Sequence, residues 1–320
     1  MNNVQDFATQ AALNDVIERI SQLERDLMEL RQFVLVRLPC SEQLVDTLPC
    51  APTRSPTSPP VGAAFGHWEV TFLGHFQLRC AGREPQPCTS RRGLAVLKYL
   101  LASSRYTATA EALIECFWPE ADPKAGMHNL QMAIHALRRS LRGCGPDGSD
   151  ATILCRNERY FINPMLSIQR DVDRFRDAYE RGRRAASAGR MTEALDAFEE
   201  ARRHYTGDYL ADSPYEEWAI SYRTAFQDMR FSLLSRLGLL YSQTGEWDHA
   251  ASCYREILAI DSYREDAYRQ LMRCQAAMGC LADVQRTYQA CQERLRQDLR
   301  VAPASETTLL YKKLVRQAVQ

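Results

Sequence analysis

Three devices of catalysis are missing from this 320-residue sequence: a GxxxxGK phosphate loop, an HExxH pair and a serine in a GxSxG elbow. Their absence removes the common signatures of nucleotide hydrolysis, zinc peptidase and serine esterase chemistry. The paired acids Glu199 and Glu200, or Glu216 and Glu217, do not replace them, because neighbours in sequence point in different directions on a helix. No CxxC pair occurs among the eleven cysteines, and Cys274 and Cys280 have no companion pair at zinc-site spacing. Buried, inert thiols are the ordinary reading of such scattered cysteines, and redox sensing is the exception. No apolar run approaches the roughly 20 residues that cross a bilayer, and the amino terminus lacks a charged segment followed by an apolar one. Net charge is also absent, since 40 Lys and Arg balance 40 Asp and Glu. Together these absences predict a cytoplasmic chain that is not an enzyme, holds no metal or cofactor and contacts no membrane.

The charge that is there is unevenly placed. Residues 1–64 carry 5 basic and 8 acidic side chains, residues 65–165 carry 12 and 9, and residues 166–320 carry 23 of each. Only the middle segment is net basic, and it contains the stretch KAGMHNLQMAIHALRRSL, residues 124–141. Leu130, Ile134, Leu137 and Leu141 recur there at helical spacing and predict a buried face. Lys124, His128, Gln131, His135, Arg138 and Arg142 fall on the other face, and no acid interrupts the run from Lys124 to Cys144. Cations attract phosphates, and imidazole and amide groups match base edges, so the pattern suits insertion into a major groove. The plainer reading is an amphipathic surface helix whose charges only solvate it.

The flanking segments bear on that choice. Near the amino terminus, Leu13, Ile20, Leu27 and Val34 form one heptad series and Val16, Leu23 and Leu30 the other, the seam of a coiled coil over residues 1–38. Arg19 would meet Glu24, and Asp26 would meet Arg31, in a parallel pair, which predicts a parallel homodimer. The alternative is a stripe that docks on the chain's own body. Residues 39–64 hold six of the fourteen prolines and read as an extended tether.

From 65 to 165 the pattern runs strands, three helices, hairpin. HWEVTFLGHFQLRC predicts short antiparallel strands, Arg91–Ser103 a helix opened by Thr89 and Ser90, and Ala110–Phe117 a second helix. The helix described above follows, and TILCRNERYFINP predicts a hairpin with Asn157 and Glu158 at its tip. This is the order of a winged helix-turn-helix module, whose third helix enters the major groove. Arg156 and Arg159 would be wing contacts, while Arg91, Arg92 and Lys124 sit near helix starts, where backbone amides favour an anion. Residues 166–320 read as helical repeats. Leu237, Gly238, Tyr241, Gly245, Ala250, Tyr254, Ile257, Leu258 and Asp261 occupy tetratricopeptide positions, and Gly245 and Gly279 are one 34-residue period apart. Weaker copies pass through Gly189, Ala194, Phe198 and Ala201 and through Val284, Tyr288 and Cys291. The fold class expected is mainly α: coiled coil, winged helix-turn-helix and a repeat domain whose concave face leaves room for an effector or a protein.

The segments WEVTFLGHFQL, RRGLAVLKYLLAS, FWPEADPKAGMHNLQMAIHALRRSL, DVDRFRDAYERG, YTGDYLADSPYEEWAISYR, SYREDAYRQLMRCQAAMG and VAPASETTLLYKKL, in this order, resemble the antibiotic regulatory protein family of bacterial activators. That family joins an OmpR-like winged helix to a bacterial transcriptional activator domain. Two positions depart from its pattern: Met127 stands where a basic residue is frequent, and Asn157 and Glu158 where the wing tip has glycine. The resemblance implies binding to direct repeats in double-stranded DNA near a promoter and recruitment of RNA polymerase holoenzyme, in the nucleoid. His128, Gln131, Met132 and His135 would read base edges and Asn129 would help set the helix start. Arg138, Arg139, Lys124, Arg156 and Arg159 would grip phosphates. The competing reading is a signalling or sensor adaptor whose repeats bind a protein or small ligand, with only weak, non-specific DNA binding.

Overall fold

The structure is a computed structural model that describes residues 66–317. The heptad series and the proline-rich tether lie outside the described residues. Described elements are mainly helical. Strands β1 (His67–Thr71) and β2 (Gln77–Cys80) pair antiparallel, with Trp68 opposite Cys80 and Val70 opposite Leu78. Alternation does the rest, since Trp68, Val70, Leu78 and Cys80 are buried and their neighbours are not.

Helix α1 (Arg91–Ala102) starts where the Ser90 hydroxyl accepts from the Gly93 amide. The short strand β3 (Thr107–Thr109) leads into α2 (Ala110–Phe117), capped by Thr109. Helix α3 (Pro123–Ser140) follows a five-residue turn, and β4 (Ile153–Arg156) and β5 (Arg159–Ile162) form the expected hairpin. Strand β6 (Ser167–Arg170) then pairs parallel with β1, giving one sheet of order β2-β1-β6 and a second of order β3-β5-β4. Neither β3 nor β6 was expected from the sequence.

Beyond β6, helices pair antiparallel: α4 (Asp171–Ser187) with α5 (Met191–His204), α6 (Ile220–Thr244) with α7 (Trp247–Ile260), and α8 (Glu265–Ala277) with α9 (Leu281–Arg294), followed by α10 (Ser305–Gln317). The small residues expected at helix crossings are there for a steric reason. A Cβ on Gly182 would lie 2.5 Å from the Phe198 ring, and one on Gly238 would lie 2.6 Å from Tyr254. Gly245 ends α6 in the left-handed conformation, φ 81°.

A single apolar core runs from Trp68 through Phe175 and Tyr209 to Cys253, across residue 165. The loop after α5 is laid against the β1–β2 turn: the Leu210 amide donates to the Phe72 carbonyl at 2.8 Å, the Ala211 amide to Gly74 at 2.9 Å, and the Tyr209 ring stacks on Phe72 at 5.2 Å. Asp171, first residue of α4, reaches back to accept from the Phe72 and Leu73 amides at 2.8 Å each. Burial pushes its carboxyl above its ordinary range, against the pull of those amides. Lys98 of α1 is only 3% exposed, and its ammonium meets Asp212 at 3.0 Å and lies over the Phe76 ring. The two parts that the sequence separates are therefore joined by backbone hydrogen bonds and a buried ion pair.

Candidate nucleic-acid interface

Helix α3 is held by what lies beneath it. Leu130, Ile134, Leu137 and Leu141 are buried, as their spacing predicts. Two glycines set the approach of its neighbours: a Cβ on Gly126 would come 2.5 Å from Ile114 of α2, and one on Gly93 of α1 would come 3.0 Å from the Ala133 carbonyl. The helix starts at Asp122, whose carboxylate accepts from the Lys124 and Ala125 amides at 3.0 Å each, with Pro123 in the first turn. Asn129 lies about two turns further on and is half-buried, so it does not set the helix start. The start is also not an open anion site, because the Asp122 carboxylate already occupies it.

The opposite face carries Lys124, His128, Gln131, His135, Arg138 and Arg139, all exposed, together with Met132 at 57% exposure. Met127 turns inward and packs against the core. Arg138 is partly committed: its Nε donates to the Ile153 carbonyl at 3.0 Å and ties α3 to the first hairpin strand. Arg139 donates to the Thr89 hydroxyl at 3.3 Å. Between the start of α1 and this face runs a groove of about 590 Å³, in which Thr89, Arg92 and Trp118 stand beside Met132 and His135. Thr89 and Trp118 were not expected to line this face. Thr89 adjoins the cap, and Trp118 follows the last turn of α2, so both look like punctuation in a linear reading.

In the hairpin, Arg156 and Arg159 face each other across the strand pair, and both are exposed. Asn157 and Glu158 make the turn with φ 51° and 56°, the left-handed pair of a two-residue hairpin. Ala110 donates to the Glu158 carbonyl at 2.7 Å, which anchors the tip to the start of α2. Lys124, Arg91, Arg92, Arg156 and Arg159 form no ion pair among the described residues.

The second half of the chain supplies the deciding observation: residues 170–315 match the family of the bacterial transcriptional activator domain. The activator domain begins at Arg170, whose guanidinium binds Asp173 and the Leu101 carbonyl, and it includes the loop that packs on β1 and β2. Across the longer span, 252 residues are 25% identical to transcriptional regulatory protein MoaR1 of Mycobacterium tuberculosis, covering 79% of this chain and 80% of MoaR1. Regulatory protein AfsR of Streptomyces griseus is 26% identical over 263 residues, 82% of this chain but only 26% of AfsR. The fold is similar to that of Mycobacterium tuberculosis EmbR, solved in complex with a low-affinity phosphopeptide, with a TM-score of 0.64 at 22% identity, over 78% of this chain and 65% of EmbR. The resemblance to the antibiotic regulatory proteins thus extends beyond the activator domain to the segment that contains α3.

Proposed function

We propose that this chain is a DNA-binding transcriptional activator. Helix α3 lies in a major groove, and the β4–β5 hairpin serves as the wing of a winged helix-turn-helix spanning residues 65–165. His128, Gln131, Met132 and His135 read base edges. Lys124, Arg139, Arg156 and Arg159 contact phosphates, with the free part of the Arg138 guanidinium. Arg91 and Arg92 contact backbone beside them. The observation that carries this reading is the exposed row of cations that form no ion pair among the described residues, on a helix whose other face is committed to the core. Each neutralised phosphate releases counterions, and that release supplies sequence-independent affinity, while the donors and acceptors of α3 supply discrimination.

The activator domain, residues 166–320 in this reading, recruits RNA polymerase holoenzyme to the promoter. The heptads of residues 1–38 pair two chains in parallel, and the tether of residues 39–64 lets the two DNA-binding units occupy direct repeats. Two carboxylates support the adaptor reading as second choice: Asp122 at the start of α3 and Glu158 at the hairpin tip would both repel phosphate.

The test is recovery and sequencing of genomic fragments bound by the full-length protein at near-physiological salt. Enrichment of a short repeated motif upstream of genes is expected. Recovery without sequence preference that is lost at modest salt would move the assignment to the adaptor.

A further inference from the structure

Beyond Pro123 in its first turn, the side chains that helix α3 leaves exposed are polar or charged with one exception. Met132 is apolar and 57% exposed. It is not a core residue displaced outward, because Leu130, Ile134 and Leu137 fill the buried stripe and Met127 is the methionine that packs on the core. A single exposed apolar side chain is ordinary on a protein surface, so its place decides what it can do. Met132 stands beside Gln131 at the middle of the exposed row, about one turn after His128 and one before His135. Those two histidines lie about 10 Å apart along the helix axis, within the roughly 12 Å width of a major groove. The cations stand outside that span, Lys124 before it and Arg138 and Arg139 after it. Charge at the two ends suits the phosphates of the groove walls, and the centre is left to face the base edges.

We propose that Met132 selects thymine at one position of the DNA site, by apolar contact with the C5-methyl group in the major groove. The inference rests on the DNA-binding reading above and names the chemical group that this part of α3 recognises. Donors and acceptors are offered by every base edge there, but the thymine methyl is the one apolar group among the four bases. A histidine or glutamine gains little from a methyl group, whereas Met132 hides apolar surface against it. Its unbranched side chain adapts to the position of that methyl. Met132 also lines the groove of about 590 Å³ with Trp118 and Ala136, so an apolar wall stands beside it. Selection here is additional to hydrogen bonding by Gln131 and the histidines, because it needs no donor or acceptor.

The test uses the site selected by the full-length protein, made as synthetic duplexes in which thymine is the only base with a 5-methyl group. Each thymine is replaced in turn by deoxyuridine, which pairs in the same way and lacks the methyl. At one position the affinity is expected to fall about fourfold, the effect of one buried methyl group. In the Met132→Ala variant the same replacement is expected to leave affinity unchanged. Met132→Leu, which keeps an apolar side chain of similar size, is expected to retain the fourfold loss. The proposal is overturned, with DNA binding intact, if no thymine methyl matters or if Met132→Ala shows the same loss. It is also overturned if Met132→Leu loses the sensitivity as Met132→Ala does, which would mark an indirect effect. Failure to select any site overturns this proposal and the DNA-binding reading together.

Discussion

Arginine is used differently in the two parts of this molecule. In the second half several guanidinium groups are paired with a carboxylate of the chain: Arg181 with Glu200 at 2.7 Å, Arg202 with Glu199 and Glu256, Arg264 with Asp266, and Arg269 with Glu306. On α3 and the hairpin, Lys124, Arg156 and Arg159 form no ion pair among the described residues, and Arg139 donates to the Thr89 hydroxyl. Just past the end of α3, Arg142 meets Asp150 at 3.7 Å, with both side chains exposed. Exposure does not separate the two sets, because Arg181 and Arg156 are both open to solvent. Pairing separates them only in part, because exposed Arg174, Arg184 and Arg203 also form no ion pair among the described residues. An exposed ion pair contributes only about 0–1 kcal/mol, so leaving a row of cations unpaired costs the fold little and keeps its field for an external anion.

Substitutions at the join, beneath α3 and among the paired arginines differ in the size of their expected effects. The largest effect is expected at the join between the parts. Lys98→Ala leaves the Asp212 carboxylate with the Phe76 amide at 3.3 Å but without its ammonium, and removal of one partner of a buried pair costs about 3–5 kcal/mol, less here because Asp212 is partly solvated. Thermal unfolding should show one transition at lower temperature. Two separated transitions would mean that the β1–β2 sheet and the activator domain are not one cooperative unit.

Next comes the seat of α3. Gly126→Ala places a methyl group against Ile114 and should destabilise by about 1–3 kcal/mol in denaturant melts. Pairing it with Ile114→Ala should recover part of that loss, which a purely local helix-propensity effect would not allow. At the exposed face, Gln131→Ala or His128→Ala should leave the melt unchanged and relax preference at one or two base pairs, by about 1–3 kcal/mol each, in binding-site selection. Equal loss on every sequence would remove these residues from the readout. The smallest effect is expected in the paired set, where Arg181→Ala should change stability by less than about 1 kcal/mol and leave DNA affinity as it was.

What was legible in the sequence was local. The buried face of α3, the cap of α1 and the Asn157–Glu158 turn depend on residues a few positions apart, and each is found where its pattern places it. Strand β6 was not legible, because SIQR has no strong alternation and its partner β1 lies 100 residues earlier, as in the pairing of His67 with Ser167. Nothing in the linear sequence singles out Asp171 or Lys98. Only the folded chain brings them to the Phe72 amide and to Asp212. Within the candidate site, period predicted exposure correctly for His128, Gln131 and His135. It could not show that Asp122 fills the helix start, that Asn129 is half-buried, or that the Arg138 Nε is taken by Ile153.

The most direct measurement is the salt dependence of affinity for a selected DNA site, compared between the full-length protein and the Arg156→Ala/Arg159→Ala double variant. If these unpaired cations meet phosphates, the slope of log K against log salt becomes shallower by about 2, at roughly 0.9 per contact, with the melting temperature unchanged. An identical slope in the two proteins would contradict the account.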